Sequence, residues 1–277
     1  ASDSVSKVGK LSFFKIIILL SLVLFTSQNF AQKFQGKAYY FSKSKMELGN
    51  WGARMSEAQK KQIQNRLKNR LEKKYILSFN MQESTFLEED KIDAISGATD
   101  SWGGYFSRGD LHKNIKNDKL IQSQEFYGKR FLVKDDLLKI EWSLGTETKK
   151  IGNYTCYKAA AMIPKSELSW FDFSWSDLRQ NSEDEKKEEP LIVIEAWYTP
   201  QIPVAQGPAE YWGLPGLILE VSAGNTTMLC TKIVMNSDEN EKIDAPQRGK
   251  EITKEEYQKT ISAKMKEFRD NRVRQRG

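Results

Sequence analysis

The chain has 277 residues, with 43 basic and 37 acidic side chains and a formal net charge of +6. That is long enough to bury a real core as one large or two small domains. The charges are mixed in sign throughout, which is not a nucleic-acid footprint. A single histidine, His112, excludes a His-cluster metal site and any dyad of two histidines.

The first residues read as an export signal rather than as part of the fold. Lys7, Lys10 and Lys15 precede an apolar run over residues 16–25, and Gln28-Asn29-Phe30-Ala31 follows. This is the charged, apolar and small-residue order of a secretory signal peptide, with cleavage expected after Ala31. The expected domains are therefore a signal peptide, 1–31, and a single mature domain, 32–277. Removing three lysines and Asp3 leaves the mature chain at +4. The apolar run is shorter than the ~20 residues a helical span needs, so no stable membrane span is expected once the signal is gone. Localisation is expected to be periplasmic or extracellular.

The mature chain opens with a strand over residues 34–41. Ser56-Glu57-Ala58-Gln59 is a capping box, and Ile63, Leu67 and Leu71 follow at fourfold spacing. This predicts a helix of about 19 residues with a narrow apolar stripe and a solvated basic face. Alternation predicts a strand over residues 75–84, with Tyr75, Leu77, Phe79 and Met81 on one side. Residues 85–109 read as a long loop, and His112 lies in a polar run typical of a solvated loop. Further strands are expected at 119–127, 129–133, 137–144 and 151–163. Residues 166–190 break the pattern with an aromatic cluster, Trp170-Phe171-Asp172-Phe173-Ser174-Trp175, and a charge run over 181–189. A second capping box, Thr253-Lys254-Glu255-Glu256, opens a C-terminal helix with Tyr257, Ile261, Met265 and Phe268 at helical spacing. A basic tail follows. The fold class expected is α+β, a curved antiparallel sheet or open β-barrel with two main helices.

The centre of the chain is the stretch over residues 191–235. A β-rich run ends at Pro200, a segment stiffened by Pro203 and Pro208 follows, and Leu217 begins another strand that Ala223-Gly224-Asn225 turns into a hairpin. Pro215 and Gly216 read as the two central residues of a type II turn, with Gly216 at positive φ. The segment is too proline-rich for a sheet interior and too apolar for an idle loop. Two accounts fit it. As a plug it closes an open end of the sheet with Trp212 as a core side chain; Gly213 and Gly216 favour this account because they suggest close backbone packing. As a rigid rim it presents Trp197, Tyr198, Tyr211, Trp212 and Leu214 to a ligand or partner.

Gly213-Leu214-Pro215-Gly216-Leu217-Ile218 also spells the hexapeptide that names the GLPGLI family, and the chain resembles that group of secreted bacterial proteins. Trp197-Tyr198-Thr199 ahead of Ile202-Pro203, Gly207-Pro208, and Gly152-Asn153-Tyr154-Thr155-Cys156 before Lys158-Ala159 extend the likeness over about residues 32–264. The family's function is unassigned, so the resemblance implies export and no activity.

Candidate chemistry is sparse. GxSxG, HExxH, P-loop and GxGxxG patterns are all missing from the sequence, and no cofactor or metal is expected. Outside the cytoplasm Cys156 and Cys230 most simply form a disulfide. Glu195 and Glu220, each set among apolar residues, are the candidates for a paired-carboxylate hydrolase. The favoured expectation is a non-catalytic cell-envelope protein that binds or carries an apolar small molecule or engages an envelope protein. An apolar lined cavity would mark a carrier, converging carboxylates an enzyme, and a filled core with exposed aromatics an interaction protein.

Overall fold

The computed structural model describes residues 34–45, 54–89, 106–169, 189–236 and 243–274. The expected signal peptide, the aromatic cluster at 170–175 and most of the charge run at 181–189 lie outside the described residues. Residues Gln35–Gly277 cluster as one unit.

Its strands are β1 (Gln35–Ser44), β2 (Glu72–Asn80), β3 (Glu83–Glu88), β4 (Phe106–Asn114), β5 (Lys119–Phe126), β6 (Lys129–Asp135), β7 (Ser143–Ile151), β8 (Tyr154–Pro164), β9 (Leu191–Thr199), β10 (Leu217–Ala223), β11 (Thr226–Met235) and β12 (Lys250–Ile252). All belong to one open sheet in the order β12-β6-β5-β4-β3-β2-β1-β11-β10-β9-β8-β7. Two antiparallel meanders, β1 to β6 and β7 to β11, are joined where β1 pairs with β11. This corrects the expected fold class. The sheet is mixed, because β12 runs parallel to β6, and it is not closed. Strand makes up about half of the structure and helix about a fifth, so the architecture is β-dominated.

Tight turns set the registers. Tyr127-Gly128 joins β5 to β6 with both residues at positive φ, as a type I′ hairpin requires. Tyr127 tolerates that conformation while its ring packs on Phe126 and on Phe268. Met81, expected on a strand face, falls instead in the turn between β2 and β3 and is exposed. Of the strand expected over residues 137–144, only 143 and 144 are extended, at the start of β7, and 137–142 are irregular, yet Leu137 and Leu138 are buried.

Both capping boxes form. Ser56 and Gln59 exchange side-chain and backbone hydrogen bonds at the start of α1 (Glu57–Arg66), and Thr253 and Glu256 do so at the start of the C-terminal helix. The first expected helix is nonetheless shorter than 19 residues. It stops at Arg66 and is followed by a single turn, α2 (Lys68–Leu71), and α1 buries no side chain. A short helix, α3 (Lys165–Ser169), follows β8, and α4 (Lys254–Arg274) is the long one. Helix α4 lays Tyr257 and Ile261 on Phe126, Phe131, Val133 and Ile252, the face-down side chains of β5, β6 and β12.

Cross-strand partners define that inner face across the sheet. It runs through Ala38, Leu77, Phe86, Leu111, Gln122 and Val133 on one meander, and through Ala159, Ala196 and Val221 on the other. Nearly all are buried, so something must cover them. Helix α4 covers one end. The chain between β9 and β10 covers much of the rest.

Candidate functional site

The connection over residues 200–216 lies across the inner face as a strap. Ile202, Val204, Gln206, Ala209, Glu210 and Leu214 are buried. The strap has no strand of its own, so its backbone groups find partners elsewhere. The amides of Leu217 and Ile218 donate to Ile202 O and Gln206 O. On β3, Ser84 Oγ donates to Gln206 Oε1 at 2.7 Å. On β4, the ammonium of Lys113, with no exposed surface, donates to the carbonyls of Gly207, Ala209 and Tyr211 at 2.6, 2.7 and 2.9 Å. Three carbonyls converging on one cation solvate it in place of water, which is how a buried charge is tolerated. Ala209 adopts φ +47° within this turn. At the far end two indoles lock the strap to the irregular segment before β7. Trp142 Nε1 donates to Trp212 O, and Trp212 Nε1 donates to Leu138 O, both at 2.8 Å.

The turn at the end of the strap differs from the type II expectation. Gly216 N donates to Leu214 O at 2.8 Å, a three-residue turn centred on Pro215, whose fixed φ suits it. Positive φ is found at Gly213, +93°, and not at Gly216. Gly216 is required for a different reason: a Cβ there would sit 2.2 Å from the carbonyl oxygen of Thr199.

The five residues proposed as a rim do not share one surface. Tyr198, Tyr211 and Leu214 are buried and Trp212 is partly buried. Trp197 points to the opposite face of β9 from Tyr198. There Lys149 Nζ stands 4.3 Å over its ring and donates to Glu220 at 2.7 Å. Glu195 pairs with Lys158 at 3.2 Å, and Lys158 also meets Glu147 at 3.4 Å. The two carboxylates singled out for acid–base work are thus each held by a lysine. Farther along this outer face the charges stop. Met162 stands opposite Val193, and Leu191 opposite Pro164; Met162, Val193 and Leu191 are each more than half exposed. This apolar strip continues past the end of β7, whose pairing with β8 stops at Ser143 opposite Ala160; among the described residues β7 is a nine-residue edge strand paired by β8 alone.

The expected disulfide is not formed: Cys156 and Cys230 are buried free thiols. Strands β9 and β10 lie between them in the sheet, three spacings or roughly 14 Å along the backbone, where a bridge requires Cα atoms within about 7 Å. Burial pushes the Cys156 thiol up to about 11 and the Cys230 thiol up to about 12.

His112 also departs from the expected solvated loop. It lies in β4 opposite Thr85 and Ile121 and is only 5% exposed. Its Nε2 is 3.8 Å from Glu83 Oε1. Burial holds its pKa below the ordinary imidazole value, against the opposing pull of Glu83 and Asp244. Lys113 and Gln206, which fasten the strap, were not singled out by sequence reasoning. The available signal was the alternation of Leu111 and Lys113 within a run dominated by polar residues.

Among the described residues no cluster of three or more His, Cys, Asp or Glu side chains is placed to hold a metal ion. No helix among them is long and apolar enough to cross a membrane. A groove of about 730 Å³ opens beside the start of α4. Asp135, Asp136, Glu167 and Glu255 line it with Leu138 and Met162, so it is not an apolar chamber.

Residues 142–220 match the model of a family described as a protein of unknown function, Porph_ging. The match runs from Trp142 through the strap to Glu220 of β10. No curated protein matches the chain. Two solved structures of PNGF-II show a distant likeness. That in the C2 space group has 16% identity and a TM-score of 0.47 over 82% of this chain and 32% of that one. That in the P21 space group has 14% identity and a TM-score of 0.44 over 79% and 32%. The chain spans about a third of the length of those proteins.

Proposed function

We propose that this protein is an exported, non-catalytic member of the GLPGLI group, a cell-envelope binding module that engages another protein through the Ser143 end of β7 and the apolar strip that continues past it. The observation that carries this reading is the division of the two faces. The inner face, where an apolar ligand would be carried, is occupied by the chain's own strap, while large apolar side chains stand exposed on the outer face next to an open sheet edge. An unpaired edge offers backbone groups to an extended segment, and neighbouring pockets or strips select its side chains. The partner that fits is an extended segment carrying apolar residues. Lys149, Lys150 and the β-bulge after Leu144 discourage pairing with copies of the chain itself.

A photo-crosslinking residue placed at Val193 in the native host tests this. The expected result is one crosslinked protein species, absent when the same residue is placed at Lys43 on the distant meander, and lost when Met162→Glu is added without a change in melting temperature. Purified protein that releases one equivalent of lipid on extraction, with no crosslink at Val193, would replace the interaction module with a carrier. For export, the mature protein should be recovered outside the cytoplasm with Gln32 as its first residue; a cytoplasmic chain retaining residues 1–31 defeats that part.

A further inference from the structure

We propose that the inner face of β4 and β5 binds internal water through Gln122, Gln124 and Gln206, between the side chains covered by helix α4 and those covered by the strap. Gln122 and Gln206 have no exposed surface and Gln124 only 2%. Both amide atoms of Gln122, and the amide nitrogens of Gln124 and Gln206, have no hydrogen-bond partner among the described residues. Their position follows from the register. Gln122 lies opposite Leu111 and Val133, and Gln124 opposite Phe131, beside the side chains that α4 covers. Gln206 is held by Ser84, whose cross-strand neighbour is Lys113, which in turn faces Leu120, two residues from Gln122.

Four bare amide atoms in surroundings of Leu111, Leu120 and Val133 would cost an amount comparable with the stability of a whole domain. A bound group must therefore satisfy them. It is neutral, because Lys113, the cation beside them, already has three carbonyl partners. It is small, because the three glutamines are enclosed with at most 2% of their surface exposed, Gln122 between Leu111 and Val133 and Gln124 beside Phe131. It both donates and accepts, because the amides offer both. Water meets all three conditions, and at about three hydrogen bonds per buried water about two molecules suffice.

Oxygen-17 relaxation dispersion of water around the full chain should detect long-lived internal waters. A Gln122→Met, Gln124→Met variant should lose them and melt below the wild type, since Met keeps the volume and removes the partners. If that double variant does not fold, Gln122→Met alone should show a smaller loss of the same signal. A wild-type protein without long-lived water, or a methionine variant that melts higher, overturns the proposal. A native mass above that of the chain, lost in the variant, would also overturn it, by replacing water with a retained organic molecule.

Discussion

Lys113 is a cation with no exposed surface on a strand, and its three carbonyl partners all belong to the strap. Replacing it with Met keeps the aliphatic stem and leaves three inward carbonyls without a donor. The expected loss is about 3–5 kcal/mol, read as a fall in the denaturation midpoint. A loss below about 1 kcal/mol would mean that apolar burial alone holds the strap. His112 governs a different variable. Its folded pKa lies below the ordinary value of 6.5, so between those two values the unfolded chain binds more protons than the folded one. Stability then falls as pH drops below about 6.5 and this contribution is flat above it. Denaturant midpoints measured from pH 7.5 to 5 should show that slope, and a His112→Gln variant should lose it. Neither role was legible beforehand. In Asp110-Leu111-His112-Lys113-Asn114 four of five side chains are polar, and polarity reads as solvent exposure unless a partner across the fold is known. The partners of Lys113 are 94 to 98 residues away in sequence.

At the scale of elements, local signals carried far. Both capping boxes, the first strand, the hairpin through Gly224 and the apolar stripe of α4 follow from residues within one or two turns of each other. The Pro215-Gly216 corner was legible as a corner, but its geometry was set from outside by the carbonyl of Thr199. Gly216→Ala should therefore destabilise by ~3 kcal/mol or more, although no positive φ is involved. Gly152→Ala, at φ +57° with open space around it, should cost only about 1 kcal/mol. Equal losses at the two sites, compared by thermal melts, would remove the close-packing argument. The cysteines show how an element-level reading fails. Each sits in a β segment as expected, and compartment chemistry favours a bridge, but strand order inserts β9 and β10 between them. Denatured, unreduced protein should take up two alkyl groups per chain by intact mass, and folded protein should react slowly because both thiols are buried and neutral. A mass showing no alkylation would restore the bridge.

At the scale of the whole molecule, the sequence discloses many short strands separated by turns and very little about their order. Hairpin neighbours follow from adjacency. The parallel seat of β12 on β6 and the meeting of β1 with β11 do not, because both are decided by which inner-face side chains complete a continuous core. That second junction has a kinetic consequence. Gly36 of β1 faces Met235 of β11, whereas every other antiparallel pair in the sheet joins strands consecutive in the chain. Each meander can therefore assemble from contacts that close modest loops, while the seam must wait until almost the entire polypeptide is available and then pay the largest loop-closure entropy in the molecule. Refolding should accordingly show two phases, with hydrogen-exchange protection gained early at β4–β5 and β8–β9 and late at β1 and β11.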